Sequence, residues 1–367
     1  VFCKICQVVF YMQIDVLKPL QETIIFGVVF FALLLFSLRK KKSNEFLPVD
    51  TTQELKGFAI CFITLAHIGY FLSRQTEFLF PFSVFAGVGV DIFLFLSGYG
   101  LTLSALRKPF RIKEFYQKRL TKIFVPLWIT LLLFLILDYF VLGRVYPLKD
   151  IVWNFFGVFP RADIFFNINA PLWYITPTLF YYILFPLFFF RKKPLLSALA
   201  LYLLGWLLIQ FPLPVHEEVM NLYQTHFVAF PLGVLCASLF AKINPIKIKA
   251  PLHFLLLPTL LFAAIYFGIH SGVGKGEMLE QFISLVILFL VLAFFIVKPF
   301  GIQMFSLLGV YSYEIYLLHW PLLSRYDVIY KYLPAGIATM IYGFIFLCLG
   351  ICLQYLIKKF FFNKKTS

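Results

Sequence analysis

Ionisable side chains inside long apolar stretches are costly and mark candidate sites of function. This sequence has few of them. His67 lies eleven residues beyond Lys56 in an apolar run, about 16 Å along a helix and therefore near the middle of a bilayer. Asp91 lies nine residues into the next long apolar stretch and reaches a similar depth. Glu314 lies nine residues beyond Phe305, and His319 follows it in Tyr316-Leu-Leu-His319-Trp-Pro321. An imidazole titrates near neutral pH and can take a hydroxyl proton, so His67 is a candidate general base. Asp91 can orient such a base, as a carboxylate orients a triad histidine. Each residue also has a plain structural role open to it. His67 can be a packed imidazole bonded to a carbonyl, Asp91 a charge paired with Arg or Tyr, and His319 an interfacial anchor. No local spacing around His67 and His319 supports a metal site, and none is expected.

The densest basic run is 107–122, with seven Lys and Arg. Holding a loop on one side of a membrane is a sufficient reason for it. Spacing offers a second: Arg119 and Lys122 are three apart, on one helix face, where a cationic pair can grip the phosphates of a donor. Walker A and Rossmann glycine patterns are absent from the sequence, so an ordinary nucleotide fold is not expected. Cys61, Cys236, Cys348 and Cys352 fall in apolar stretches as small apolar residues, and Ser97 and Cys61 are candidate covalent carriers. Cys3 and Cys6 form a lone C-x-x-C, a weak redox or metal signal.

Placing these side chains requires a membrane. Of 367 residues, 62% are hydrophobic and 13% charged, against roughly 45–50% and about 25% in a soluble domain. That balance excludes a soluble globular enzyme, a disordered chain and a disulfide-rich secreted module. The net charge of +15 sits in short runs between apolar stretches, which points to helix orientation, with no nucleic-acid partner expected. Eleven stretches are candidate spans: 23–38, 56–71, 82–106, 123–142, 171–190, 194–211, 226–241, 252–269, 282–297, 305–323 and 336–357. The expected fold is all-α, a polytopic integral membrane protein with about 10–11 transmembrane helices. One alternating set of loops carries 22 basic residues and the other nine. By the positive-inside rule the N-terminus is outside and the C-terminus cytoplasmic. Residues 1–21 lack a compact apolar core and are not expected to form a cleavable signal peptide. The outer loop 143–170, with Trp153, Phe155, Phe156, Phe165 and Phe166, is expected to fold back as an amphipathic interfacial segment.

Five segments resemble the acyltransferase-3 family of integral-membrane acyltransferases, in that family's order. Gly-Val-Gly-Val-Asp91-Ile-Phe-Leu-Phe-Leu-Ser97-Gly98-Tyr99 resembles its Gly-Val-Asp to Ser-Gly-Phe/Tyr signature. The run from Lys56-Gly57 to His67 resembles its first core helix with the essential histidine. Arg119-Leu-Thr-Lys122-Ile-Phe-Val-Pro126 resembles its Arg-x-x-Arg segment, with Lys122 in place of the second arginine. Asn169-Ala-Pro171-Leu-Trp173-Tyr174 and Ser312-Tyr313-Glu314-Ile-Tyr316-Leu-Leu-His319-Trp-Pro321 resemble two further segments. The resemblance implies a bacterial inner (plasma) membrane enzyme that moves an acyl group, usually acetyl from acetyl-CoA, to a hydroxyl of a cell-surface glycan or its lipid-linked precursor. His67 would be the essential histidine, with Asp91 beside it in a catalytic role, and Arg119 and Lys122 would engage the donor. Ser97, Trp173, Tyr313, Glu314 and His319 would be substrate-contacting or structural polar groups. The core would span 51–367, after an N-terminal segment 1–50 with one extra helix. No SGNH-type hydrolase domain is expected after the core, so any second transfer step outside would need a partner protein or is not used. The competing reading is a non-catalytic glycan or lipid transporter, since mid-membrane polar groups also mark transport sites.

Overall fold

The computed structural model describes residues 13–41, 46–163, 167–240, 250–270 and 277–362. Fifteen α-helices follow in order: α1 (Pro19–Phe36), α2 (Val49–Ala66), α3 (Phe80–Ser83), α4 (Ala86–Arg107), α5 (Ile112–Leu142), α6 (Leu148–Phe155), α7 (Ile175–Phe188) and α8 (Pro194–Gln210). Then come α9 (Glu217–His226), α10 (Ala229–Phe240), α11 (Ala250–His270), α12 (Glu277–Val297), α13 (Gln303–Val310), α14 (Ser312–Ser324) and α15 (Ala335–Ile357). A π-helical turn, His67–Leu72, continues α2, and a 3-10 turn, Ala170–Tyr174, precedes α7. Among the described residues the strands are β1 (Leu38–Lys40) and β2 (Phe300–Ile302), an antiparallel pair in the register Arg39 to Gly301.

The chain is a polytopic all-α membrane protein. Nine of the described helical segments are long and apolar enough to cross a bilayer. All eleven apolar stretches of the sequence form helix, but two fall short of a continuous span. The helix α8 has 17 residues, and α13 and α14 are split at Tyr311, whose φ of −108° and ψ of 14° leave the helical well. The helices sort by burial. In α1 and α11 less than a fifth of the apolar window is inside the protein, whereas two thirds of α2 is. Residues such as Val28, Phe31, Phe254 and Phe262 are exposed, as lipid-facing side chains are.

Glycines let the central helices meet backbone to backbone. A Cβ on Gly57 would sit 1.7 Å from the Phe305 carbonyl oxygen, and one on Gly309 would sit 1.8 Å from that of Gln53. The pairing of α4 with α10 repeats this at Gly98 against Phe230 and Gly233 against Phe95. Small residues at membrane helix crossings allow such close approach.

Two buried polar clusters close the bundle's ends. At the end carrying the basic loops, Glu54 pairs with Lys298, accepts from the Ile302 amide at 3.0 Å and lies 3.7 Å from Arg39. Burial pushes the Lys298 ammonium below the usual lysine range, and Glu54 opposes that shift. This cluster and β1 tie the segment before α2 to the core, and Glu22 on α1 accepts from the Gly336 amide at 2.8 Å. At the opposite end, buried Asp138 accepts from Tyr146 at 2.5 Å and Tyr326 at 2.6 Å, and pairs with Arg325 at 3.1 Å. In the 143–170 loop, α6 and its C-cap expose Leu148, Val152 and Phe156 at four-residue spacing. Phe165 and Phe166 of that loop lie outside the described residues, as do Cys3 and Cys6.

Candidate functional site

His67 is the first residue of the π-helical turn, a local widening that often accompanies functional positions. Its Nδ1 lies 2.7 Å from His319 Nε2, with the two rings nearly parallel at 7°. His319 is fully buried, and its Nδ1 lies 2.8 Å from the Tyr316 carbonyl oxygen and 3.2 Å from that of Ile315. Carbonyls only accept, so His319 Nδ1 carries a proton. In the neutral ring His319 Nε2 is then bare and accepts from His67 Nδ1–H. The chain of bonds leaves Nε2 of His67 as a bare imidazole nitrogen. Trp320 and Phe71 pack edge-on against the His67 ring, with centroids 5.2 and 5.5 Å away, and hold it in place.

The pairing of Asp91 with His67 expected from the sequence is not what forms. Asp91 is fully buried, and its Oδ1 lies 2.7 Å from His226 Nδ1 while its Oδ2 accepts from Ser284 Oγ at 2.5 Å. The reason is helical phase. Gly89 presents the face of α4 that meets Ala59 and Ile63 on α2. Asp91 follows two residues later, about 200° around the helix, and so faces α9 and α12. His226, absent from the sequence reading, is the residue Asp91 orients. The indole of Trp173 stacks on the His226 ring with centroids 5.7 Å apart. The available signal was an ionisable residue opening the apolar stretch 226–241.

One cavity of about 1080 Å³ joins these groups. His67, His226 and Ser284 line it, as do Trp173, Tyr313, Glu314 and Ser97. His319 and Asp91 stand behind the wall and reach the cavity through their partners. Ser97 Oγ accepts from Tyr182 Oη at 3.3 Å, and Tyr313 Oη donates to the Ile123 carbonyl at 2.8 Å. Glu314 is buried and accepts from Gln354 Nε2 at 3.4 Å. Cys61 is not in the wall.

The sequence-predicted cations Arg119 and Lys122 line the same cavity, and two more join them. Lys56, on α2 eleven residues before His67, and Lys358, directly after α15, complete a group of four. Each is close enough to feel another's charge: Lys56 feels Arg119 and Lys122, and Lys122 feels Arg119 and Lys358. None of the four forms an ion pair among the described residues. Arg119 lies over the Tyr182 ring at 5.9 Å, and Lys358 donates to Gln354. No group of three or more His, Cys, Asp or Glu among the described residues is placed to hold a metal ion.

A family model described as an acyltransferase domain, acyltransferase-3, matches residues 55–359, nearly the whole chain. The chain belongs to the acyltransferase-3 family. No curated protein and no solved structure gives a significant match. The match covers every cavity group named above and decides between the two readings left by the sequence: this is a membrane acyltransferase rather than a transporter.

Proposed function

We propose that the protein moves an acyl group, acetyl from cytoplasmic acetyl-CoA, onto a hydroxyl of a cell-surface glycan or of its lipid-linked precursor. The enzyme sits in the plasma membrane, the inner membrane of a bacterium, with its basic loops in the cytoplasm. The observation that carries this reading is the single cavity that holds both an unpaired cation group and an imidazole with a bare nitrogen. Acetyl-CoA fits that arrangement. Its phosphates match Arg119, Lys122, Lys56 and Lys358, with Arg119 offering a planar fork and the lysines point charges. Its thin pantetheine arm matches the mainly apolar passage between them and His67. Lys56 and His67 are eleven residues apart on one helical run, about 16 Å, so phosphate grip and base are held at a fixed separation.

His67 Nε2 takes the acceptor hydroxyl proton as the oxygen attacks the acyl carbon. His319 and the Tyr316 carbonyl fix the tautomer that makes this nitrogen the base. A glycan acceptor suits the aromatic wall of Trp173, Tyr174 and Trp320, against which sugar rings can lie.

The test uses native-host membranes and radiolabelled acetyl-CoA, with label followed into the glycan fraction. Parent protein should transfer label. His67→Ala should lose about 10²–10⁴-fold, the usual weight of a general base, while still accumulating in the membrane. A fully active His67→Ala protein would overturn the assignment of the base. Substituted-cysteine labelling should find Gln117 and Lys192 reactive from the cytoplasm and Gln75, Lys149 and Glu217 from outside; external labelling of Gln117 would reverse the donor side.

A further inference from the structure

The cavity holds two imidazoles, and they are backed by opposite chemistry. Behind His67 stand a neutral imidazole and then carbonyl oxygens, none of which carries a full charge. Behind His226 stands the carboxylate of Asp91, 2.7 Å from Nδ1. Asp91 is fully buried, and His226 is its ion-pair partner among the described residues. A buried carboxylate without a cation is strongly destabilising. An imidazolium at this place would pair with Asp91 through Nδ1–H and present its Nε2–H to the cavity that the ring lines. Ser284 Oγ holds the second carboxylate oxygen, and the Trp173 indole covers one face of the ring. His226 is thus held at a fixed orientation by three separate segments of the chain.

A carboxylate behind one imidazole and only neutral groups behind the other is an arrangement that can set an acid and a base in one site. Acyl transfer from a thioester needs both. We propose that His226, held by Asp91 and Ser284, is the general acid that protonates the departing thiolate, while His67 is the base that deprotonates the acceptor. This rests on the acyl-transfer reading above. In the step, the acceptor O–H bond breaks and its proton goes to His67 Nε2. The oxygen electron pair forms the new bond to the acyl carbon. The C–S bond breaks, its pair stays on sulfur, and the sulfur takes the proton of His226 Nε2. The products are an ester and a thiol. The proton on His67 returns to His226 through the shared cavity, which restores both groups. Asp91 and Ser284 are positioning residues in this scheme.

The leaving group provides the test. A general acid matters for the alkyl thiolate of acetyl-CoA and not for an aryl thiolate that departs without a proton. In native-host membranes, His226→Gln should lower transfer from acetyl-CoA by about 10²-fold or more. Transfer from S-(4-nitrophenyl) thioacetate should stay near the parent rate. Glutamine can still donate to Asp91, so the buried carboxylate keeps a partner. Asp91→Asn should show the same selective loss and serves if His226→Gln does not accumulate. His67→Ala should lose both donors. Equal loss of both donors, or of neither, in His226→Gln and in Asp91→Asn would overturn the assignment. A parent protein that transfers from neither donor would instead overturn the acyl-transfer reading itself.

Discussion

Two groups of cations sit within the bundle, and they differ in what answers their charge. Lys298 and Arg39 face Glu54, and the Lys298 ammonium also donates to the Phe300 carbonyl at 2.6 Å. Every member of that cluster has a partner supplied by the fold, so its role is complete without a ligand. Arg119, Lys122, Lys56 and Lys358 face a cavity and one another; among the described residues none has a carboxylate at ion-pair distance, and Glu314, which shares the cavity, feels the charge of Lys358 from further off. Like charges held together at such a place are destabilising unless an anion arrives. Residue type is the same in the two groups, but Lys298 is buried while Lys122 and Lys358 reach the surface. An acidic partner within bonding distance separates a cluster that holds the helices from one left open to an anion.

Substitutions should split along this line. The largest effect is expected at Lys298→Ala, which leaves Glu54 in the protein interior with Arg39 at 3.7 Å and the Ile302 amide to answer its charge; breaking a buried pair costs up to about 3–5 kcal/mol. Thermal unfolding in detergent should show it as a large drop in midpoint, with donor affinity of the surviving folded protein near normal. Arg119→Ala should do the reverse. Its unfolding midpoint should hold or rise, while acetyl-CoA binding weakens by roughly 10–150-fold, the weight of a hydrogen bond to a charged group. If Arg119→Ala destabilises the protein and leaves binding intact, the two clusters are alike and the comparison fails. Lys122→Ala should weaken binding less than Arg119→Ala, because a point charge lacks the bidentate fork. The smallest change is expected at Lys122→Arg, which keeps the charge and restores the fork.

Much of the fold was open to reading because a lipid-facing helix must be apolar over a whole bilayer crossing, a signal that needs no partner. All eleven stretches were found for that reason, and the break at Tyr311 was missed because Phe305–Leu323 is apolar on both sides of it. The cation pair was legible from the three-residue spacing of Arg119 and Lys122. The partner of Asp91 was not, since His226 lies 135 residues away and reaches it by tertiary packing. Depth along a helix brought His67 and Asp91 to one level. Only the angle around α4, set by the contact of Gly89 with α2, decides that they face different neighbours. Lys56 was set aside because its place at the end of an apolar run looks the same whether it faces water or a buried cavity.

Gly57 and Gly309 also bear on how the enzyme can open. Where α2 crosses α13, peptide touches peptide, and no side chain lies between them to change rotamer and let one helix slide along the other. The crossing of α4 and α10 is built the same way. Sliding of packed helices is the small-step route of domain movement, and these four are denied it. They form a fixed frame that carries His67 and Asp91. The helices outside it include α5, which brings Arg119 and Lys122 and is joined to its neighbours through side chains, at Tyr313–Ile123 and Asp138–Arg325, rather than through touching backbones. The hand that holds the donor is therefore expected to move, and the chemistry to stay still. Spin labels across α2 and α13 should report one distance with and without acetyl-CoA, while a pair joining α5 to α2 should report two; a changing α2–α13 distance would reject this division.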